Sequence, residues 1–415
     1  MPDTKALEVW GDELDKATAR GSKVMPGVVA AAVDKTGKII YSKTSGFTSV
    51  LPRAQPIALD STFVVASCTK IISSVATLQC VERGLISLDE PVEKYLPELA
   101  ELPLLTTDKP FAPAGPGGRG ETLSVDDISF KLRSVKNKIT LRQLLTHTFG
   151  VSYDVLDLRL QAWRQSRGEV PIALNGNIVE GFAVPLVHEP GSNWCYGGGC
   201  DWAGLLVGRL NKTTFGQFLE DNMFRPLGMK SSTFHLEKAE HVQEKLVTMS
   251  VRGGLEAGEL VAGDNGLLDP VKEEMGGGGL YSTVPDFLKV LGDLISDKPV
   301  LLKPETIDLL FTPKLEVGGD AFETMNAQGW KLWGHWIPDS GVKLNHGMGS
   351  ALTTEEVKAS GVPKGTITWA GYAGPIWEAN RERGVAWFYA TQVLPFGDVE
   401  SGRRAEAFGK AVFAD

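Results

Sequence analysis

The sequence predicts an α/β chain in which one domain is closed by both chain ends and carries an inserted helical lobe. Near the N-terminus, the runs Gly27–Val33 and Lys38–Tyr41 surround a glycine-bearing turn and predict a hairpin. Strand-like runs return in the last quarter of the chain, at residues 341–352, 366–370 and 385–392. Strands at both ends with helices between them are typical of a sheet that the two termini build together.

Helical patterns fill the middle of the chain. The stretch from Ser67 to Arg83 has apolar residues at helical spacing and almost no polar face, so we expect a buried helix that ends at Gly84. Further helices are predicted at residues 139–147 (with Thr140 as N-cap), 201–210, 214–223, 284–296 and 401–413. We therefore expect residues 1–100 and 270–415 to form the α/β domain and residues 101–269 to form the inserted lobe.

The composition excludes several functional classes. Hydrophobic residues make up 42% and charged residues 22% of the 415 positions, which is enough for a sizeable core. The net charge of −9, with no Lys/Arg-rich block, argues against nucleic-acid binding. No run approaches the roughly 20 apolar residues that cross a bilayer, and the charged N-terminus does not resemble a secretory signal. We expect a soluble cytoplasmic protein without membrane partners.

Neither a metal site nor a cofactor is predicted. The four cysteines, Cys68, Cys80, Cys195 and Cys200, lack metal-type spacing and are too few for a disulfide framework. Cys195 and Cys200 could pair if oxidised, but free thiols are expected. A formal G-x-G-x-x-G at residues 115, 117 and 120 follows no strand, and we interpret it as a surface loop.

The candidate nucleophile is Ser67 in the S-x-x-K tetrad Ser67-Cys68-Thr69-Lys70. Residues i and i+3 share a helix face, so the Lys70 amine can reach the serine oxygen. A lysine that acts as a base at neutral pH needs burial or nearby positive charge to lower its pKa, and we expect the apolar helix to supply burial. Taken alone, the tetrad is better explained by a capping serine and an ordinary surface lysine.

Two further segments favour catalysis. Tyr196 follows a Pro-Gly turn and precedes glycines that permit close approach of the backbone. The run 366–370 predicts a strand that ends in small residues, and such a strand edge can present main-chain N–H groups to an oxyanion.

With these motifs, the chain resembles the serine β-lactamase-like family, which includes class C β-lactamases, family VIII carboxylesterases and penicillin-binding proteins. Among its members, the resemblance is greatest to fungal acyltransferases of the lovastatin pathway. It extends from about Gly27 to about Gln392 and rests on four segments in the family's order, residues 66–99, 138–153, 188–207 and 276–291. The resemblance implies a β-lactamase/penicillin-binding-protein-like fold, with an antiparallel sheet flanked by helices and an inserted, mostly helical lobe.

The resemblance also implies roles for individual residues. Ser67 corresponds to the nucleophile, and Lys70 and Tyr196 correspond to the groups that deprotonate it and shuttle its proton. The third family motif falls on Trp369-Ala370-Gly371, so the N–H groups of Ser67 and Tyr372 would form the oxyanion hole.

Two departures from the family pattern narrow the chemistry. Gly198 stands where lactamases usually have asparagine, and Trp369 begins a third motif that lacks its lysine. Both favour an ester or thioester substrate over a lactam. The first hypothesis is therefore acyl transfer from a thioester or ester, with an acyl carrier protein or CoA as candidate carriers, to a small-molecule alcohol.

Several alternatives stay open at this point. Hydrolysis by a carboxylesterase uses the same residues, while a β-lactamase or a non-catalytic binding protein fits them less well. His147 could serve as a base, although a packed structural role is the more natural interpretation. The aromatic residues Trp330 and Trp333, with His335, are candidates for the rim of an acyl pocket.

Overall fold

The computed structural model describes residues 2–108, 124–172, 175–253, 258–264, 271–333 and 341–414, and only the main chain of residues 329–333. The glycines at 115, 117 and 120 lie outside the described residues. In the described part of the chain, no helix is long and apolar enough to cross a membrane.

The described helices and strands follow one another along the whole chain. The α-helices are α1 Thr4–Ala17, α2 Thr69–Glu82, α3 Leu141–Leu145, α4 Leu158–Ser166, α5 Ile178–Phe182, α6 Gly199–Asn211, α7 Phe215–Leu219, α8 Arg225–Leu227, α9 Glu240–Gln243, α10 Val284–Ile295, α11 Pro304–Ile307, α12 Asp320–Trp333 and α13 Val399–Phe413. The strands are β1 Val28–Asp34, β2 Ile39–Ser45, β3 Thr62–Val64, β4 Leu104–Thr107, β5 Phe130–Arg133, β6 Ser250–Arg252, β7 Leu260–Ala262, β8 Tyr281–Thr283, β9 Leu344–His346, β10 Ala351–Thr353, β11 Thr366–Ala370, β12 Ile376–Asn380, β13 Val385–Ala390 and β14 Val393–Leu394.

The main sheet is antiparallel and joins the two ends of the chain. Its seven strands have the order β2-β1-β13-β12-β11-β10-β9, so the N-terminal hairpin pairs directly with β13. The predicted hairpin, the predicted strands 366–370 and 385–392, and the antiparallel sheet flanked by helices are confirmed. The division into domains at residues 100/101 and 269/270 stays a prediction.

Successive side chains of β13 point to opposite faces of this sheet, and helices cover both faces. Phe388 stacks on Phe287 of α10 with ring centroids 4.4 Å apart, whereas Trp387 faces the terminal helices and contacts Phe408 of α13 at 5.6 Å. On that second face Trp10 of α1 packs on Phe408 at 4.8 Å. The burial of large aromatic rings on both sides explains why β13 is buried almost throughout, as a sheet covered by helices on both faces requires.

Two details of the sheet differ from the sequence-based expectation. The run 341–352 is two antiparallel strands, β9 and β10, because Gly349 adopts a positive φ of 93° and allows the chain to reverse. Strand β12 was not predicted, although it pairs with both β11 and β13. Its sequence, Ile-Trp-Glu-Ala-Asn, places a carboxylate in the middle of a buried strand, which hides the strand pattern.

Helix α3 begins with the predicted cap. The Thr140 hydroxyl accepts a hydrogen bond from the Gln143 N–H, and the Gln143 side chain accepts one from the Thr140 N–H. This reciprocal arrangement pairs two main-chain donors that the helix itself leaves without partners. The short helix leads directly into His147 and the segment that lines the candidate site.

We expect Thr140→Ala to lower the free energy of unfolding by about 1 kcal/mol, because the N–H of Gln143 loses its acceptor. Chemical denaturation measures this loss, and Thr140→Ser, which keeps the hydroxyl, is the matched control. Equal stability of the alanine and serine variants would contradict the capping role.

Candidate active site

Ser67 lies on a tight turn between β3 and α2. A 3₁₀ turn covers Ala66–Cys68, and Ala66 has a positive φ of 45°, which is unfavourable for a residue with a Cβ. The segment is held from both sides, because the Val65 N–H donates to Leu280 and the Cys68 N–H donates to Val65. A strained turn fixed in this way directs the serine hydroxyl out of the helix start and into a cavity.

Lys70 is fully buried one turn after Ser67. Its Nζ donates to Ser67 Oγ at 3.0 Å, to the Tyr153 hydroxyl at 3.3 Å and to the Gly277 carbonyl oxygen at 2.6 Å. These acceptors match the three N–H bonds of an ammonium group. The predicted reach from Lys70 to Ser67 is therefore present in the structure.

The electrostatic expectation for Lys70 is wrong in its direction. Burial does lower the pKa of Lys70, but Tyr196, Cys200 and Asp201 raise it by more, and the pKa lies above its ordinary value. The sequence showed the apolar helix around the lysine but not the acidic groups that other segments bring to it. Lys70 is consequently an ammonium ion at neutral pH.

Tyr196 completes the cluster around the serine oxygen. Its hydroxyl donates to Ser67 Oγ at 2.7 Å, and the indole N–H of Trp369 donates to the Tyr196 oxygen at 3.4 Å. The glycine after it is required by packing, since a Cβ at Gly197 would lie 2.0 Å from the Val151 carbonyl oxygen. The structure thus brings Ser67, Lys70 and Tyr196 together.

The third motif contributes through its backbone and through Trp369. Gly371 lies directly against the turn before Ser67, where a Cβ would come within 2.5 Å of the Val65 carbonyl oxygen. Trp369 and Ala370 are buried and do not line the cavity beside Ser67, whereas Tyr372 is 44% exposed and does line it. The close contact at Gly371 therefore holds Tyr372 near Ser67.

A cavity of about 150 Å³ opens beside Ser67. Its wall is mostly apolar and is formed by residues from several parts of the chain: Val64, Ala66, Ser67, Tyr153, Val155, Leu156, Tyr196, Asp201, Met275, Gly277, Gly278 and Tyr372. Cavities of this size hold a molecule such as benzene. The space suits a short acyl chain.

Sequence reasoning missed two residues of this cluster. Tyr153 is the last residue of the segment 138–153, and Asp201 lies five positions after Tyr196 in the first turn of α6. Both are buried, and the Tyr153 hydroxyl donates to Asp201 Oδ2 at 3.5 Å. The sequence did contain one signal for Asp201. It is a polar residue on the apolar side of the helix that directly follows the Tyr196 motif.

His147 packs beneath the site. Its ring lies 5.1 Å from the Tyr196 ring and 5.8 Å from the Trp369 ring, and burial lowers its pKa well below the ordinary value. This neutral, fully buried imidazole meets the Tyr196 ring edge to face and stacks on the Trp369 ring, so it supports both rings. That His147 has a structural role and is not a catalytic base stays a prediction.

The other candidate residues take no part in the described cluster. Burial lowers the pKa of His188 to about 4, and no group of residues within the described chain could hold a metal ion. The four cysteines, Cys195 and Cys200 included, are buried free thiols, as expected. The predicted rim residues Trp330 and Trp333 have no described side chains, and His335 lies outside the described residues.

Comparisons with known proteins agree with this fold. The family model described as beta-lactamase matches residues 14–410. The acyltransferase calJ of Penicillium decumbens is 35% identical over 91% of this chain and 87% of its own length, and the lovastatin esterase of Penicillium rubens is 33% identical over 89% of each. The LovD6 mutant of simvastatin synthase (LovD) from Aspergillus terreus is 30% identical, with a TM-score of 0.83 over 98% of this chain and 94% of that one.

The chain therefore belongs to the beta-lactamase family. Within it, the chain is a serine acyl-transfer enzyme of the group that contains fungal acyltransferases and esterases. The resemblance inferred from the sequence is confirmed, both for the family and for the fungal acyltransferases of the lovastatin pathway.

We expect Gly371→Ala to lower kcat/KM for a short-chain p-nitrophenyl ester on the order of a hundredfold, because the Cβ pushes the Tyr372 backbone away from Ser67. Gly253→Ala is the matched control, since a Cβ there meets nothing within 4 Å. A Gly371→Ala protein with unchanged kcat/KM and a normal melting temperature would show that this contact does not position the site.

Proposed function

We propose that the protein forms an acyl-Ser67 intermediate and passes the acyl group from a thioester or ester donor to a small-molecule alcohol. The observation that carries this proposal is the pair of hydrogen bonds to one serine oxygen, from Lys70 at 3.0 Å and from Tyr196 at 2.7 Å, beside an apolar cavity. A hydroxyl with two such neighbours is prepared to lose its proton and attack a carbonyl.

In the first half-reaction, Tyr196 is the proton acceptor. The Lys70 ammonium lies 4.8 Å from the Tyr196 ring centroid, and the Trp369 N–H donates to the tyrosine oxygen. In the reacting form, the Tyr196 hydroxyl has first given its own proton to water. The resulting phenolate takes the proton of Ser67 while Oγ bonds to the acyl carbon. Tyr196 then gives that proton to the departing thiolate or alkoxide, which leaves as the carrier thiol or alcohol.

The second half-reaction reverses these transfers. The acceptor alcohol gives its proton to Tyr196 and bonds to the acyl carbon, and Ser67 Oγ leaves and takes the proton back. In both halves the N–H groups of Ser67 and Tyr372 bind the oxyanion. The neighbouring N–H groups of Cys68 and Gly371 already donate to Val65 and Pro375, which supports this assignment.

The cavity supports a short, uncharged acyl group. Its described wall offers apolar side chains and the Tyr372 ring, and the burial of each methylene contributes about 0.8 kcal/mol. Relatives named lovastatin esterase and simvastatin synthase support a small molecule of the lovastatin or simvastatin type as the second substrate. An acyl carrier protein or CoA as donor, and a cytoplasmic location, stay predictions from the sequence.

Hydrolysis is the second candidate function. One relative at 33% identity is named lovastatin esterase, and water in the place of the alcohol would use the same Ser67, Lys70 and Tyr196. The two functions differ in whether an alcohol reaches acyl-Ser67 faster than water does.

We expect Ser67→Ala to abolish turnover of a short-chain p-nitrophenyl ester, since no nucleophile remains, and Tyr196→Phe to lower kcat by about a hundredfold or more, since the proton has no acceptor. Lys70→Ala should fail similarly. Steady-state kinetics measure all three, with Cys68→Ala as a neighbouring control. Undiminished turnover in Ser67→Ala would exclude the nucleophile assignment.

We expect a panel of acyl thioesters to leave a mass increment of one acyl group on Ser67. Intact-protein mass spectrometry detects it, and peptide mapping locates it. A short acyl chain should label faster than one of a dozen carbons, because the cavity is small. Under the transfer hypothesis an added alcohol clears the adduct faster than water alone, whereas equal clearance would favour the esterase.

A further inference from the structure

Asp201 is a buried carboxylate that none of these chemical steps uses. It lies in the first turn of α6 and is 1% exposed. Its Oδ1 accepts a hydrogen bond from the Gly277 N–H at 2.8 Å, and its Oδ2 accepts one from the Tyr153 hydroxyl at 3.5 Å. Two distant segments of the chain therefore fix the carboxylate.

Both contacts of Asp201 lead to Lys70. The Tyr153 hydroxyl accepts a hydrogen bond from Lys70 Nζ at 3.3 Å, and the carbonyl oxygen of Gly277 accepts one at 2.6 Å. Lys70 is thus connected to Asp201 through two residues. One is Tyr153, through its hydroxyl, and the other is Gly277, whose carbonyl oxygen accepts from Lys70 and whose N–H donates to Asp201. The fit is close, because a Cβ at Gly277 would lie 2.2 Å from Asp201 Oδ2.

The Asp201 carboxylate does not increase the stability of the folded state at neutral pH. Burial raises the pKa of Asp201 from 3.8 to about 6, although the Lys70 ammonium and the hydrogen bonds from Gly277 and Tyr153 lower it. Because the folded-state pKa is raised, the folded state favours the protonated acid, and stability is lost as the pH rises through this range. A group that weakens the fold where the enzyme works is expected to contribute to function.

We propose that Asp201 is a positioning residue that keeps Lys70 protonated and its Nζ directed at Ser67 Oγ, which leaves Tyr196 as the proton acceptor. The inference rests on the proposed function and deepens it. The titratable groups beside Asp201 are Lys70 from α2, Tyr153 from the segment after α3 and Cys200 from its own helix, and Tyr196 lies against Lys70 and Tyr153. Of these, Lys70 alone is a cation, so its charge responds most directly to the carboxylate.

The test is the pH dependence of kcat/KM for a p-nitrophenyl ester in wild type and Asp201→Asn. Asparagine keeps the shape and an acceptor for the Gly277 N–H but removes the negative charge. The pKa of Lys70 should then fall, and the alkaline limb of the profile, where the ammonium is lost, should move down by about 1 pH unit. A loss of packing alone would lower the whole profile without moving that limb.

Tyr153→Phe provides an independent variant if Asp201→Asn folds poorly. It removes the hydroxyl that links Lys70 to Asp201 and should move the alkaline limb in the same direction by a smaller amount. The matched control is Asp293→Asn, because Asp293 is also a buried carboxylate that accepts main-chain N–H groups, from Val300 and Leu301, but lies in α10. This control should lower the melting temperature and leave both limbs in place.

The proposal is overturned if neither Asp201→Asn nor Tyr153→Phe moves the alkaline limb. It is also overturned if the acid limb moves down instead, because neutral Lys70 would then be the base. Failure of the proposed function looks different: the wild-type protein would not be acylated, or Ser67→Ala would retain turnover. The inference on Asp201 can therefore fail while the acyl-Ser67 chemistry stands.

Discussion

The burial of one lysine ammonium is the constraint on which the site depends. Lys70 is excluded from water, and a buried ammonium requires an acceptor for each N–H. The acceptors come from Ser67 one turn earlier, from Tyr153 after α3 and from Gly277 before β8. Because these residues are far apart in sequence, the ammonium gains all three acceptors only after α2, the segment that follows α3 and the glycines before β8 have packed together.

The glycine run at 276–279 follows from the same constraint. A Cβ at Gly276 would lie 2.5 Å from the Cys200 carbonyl oxygen, and one at Gly277 would lie 2.2 Å from Asp201 Oδ2. The run therefore lets a main-chain carbonyl reach Lys70 while α6 packs on α2. Consecutive glycines raise the conformational entropy lost on folding, and close contact with a buried charge is a physical reason to retain them.

Local chemistry made much of the fold and part of the site predictable from the sequence. The hairpin turn, the cap at Thr140 and the buried helix after Ser67 depend on neighbouring residues, and the structure agrees with all three. Strand β12 could not be predicted because its buried Glu378 is stabilised by a distant partner, the Trp387 indole. The pKa of Lys70 could not be predicted either, since acidic groups close in space and distant in sequence determine its direction.

The first position of the third motif contributes differently in this chain and in lactamases. In lactamases a lysine there is expected to hold a substrate carboxylate, but Trp369 is buried and its N–H points to the Tyr196 oxygen. Gly198 is the other position at which the chain departs from the lactamase pattern. A Cβ there would lie 2.6 Å from the Phe182 ring, so the aromatic ring excludes an asparagine side chain. With both polar contacts replaced, the proposed acyl group would be held in the cavity mainly through apolar burial, at about 0.8 kcal/mol for each methylene. Such a cavity discriminates by chain length and shape, as a transfer enzyme for neutral esters and thioesters requires, and provides little to orient a charged lactam.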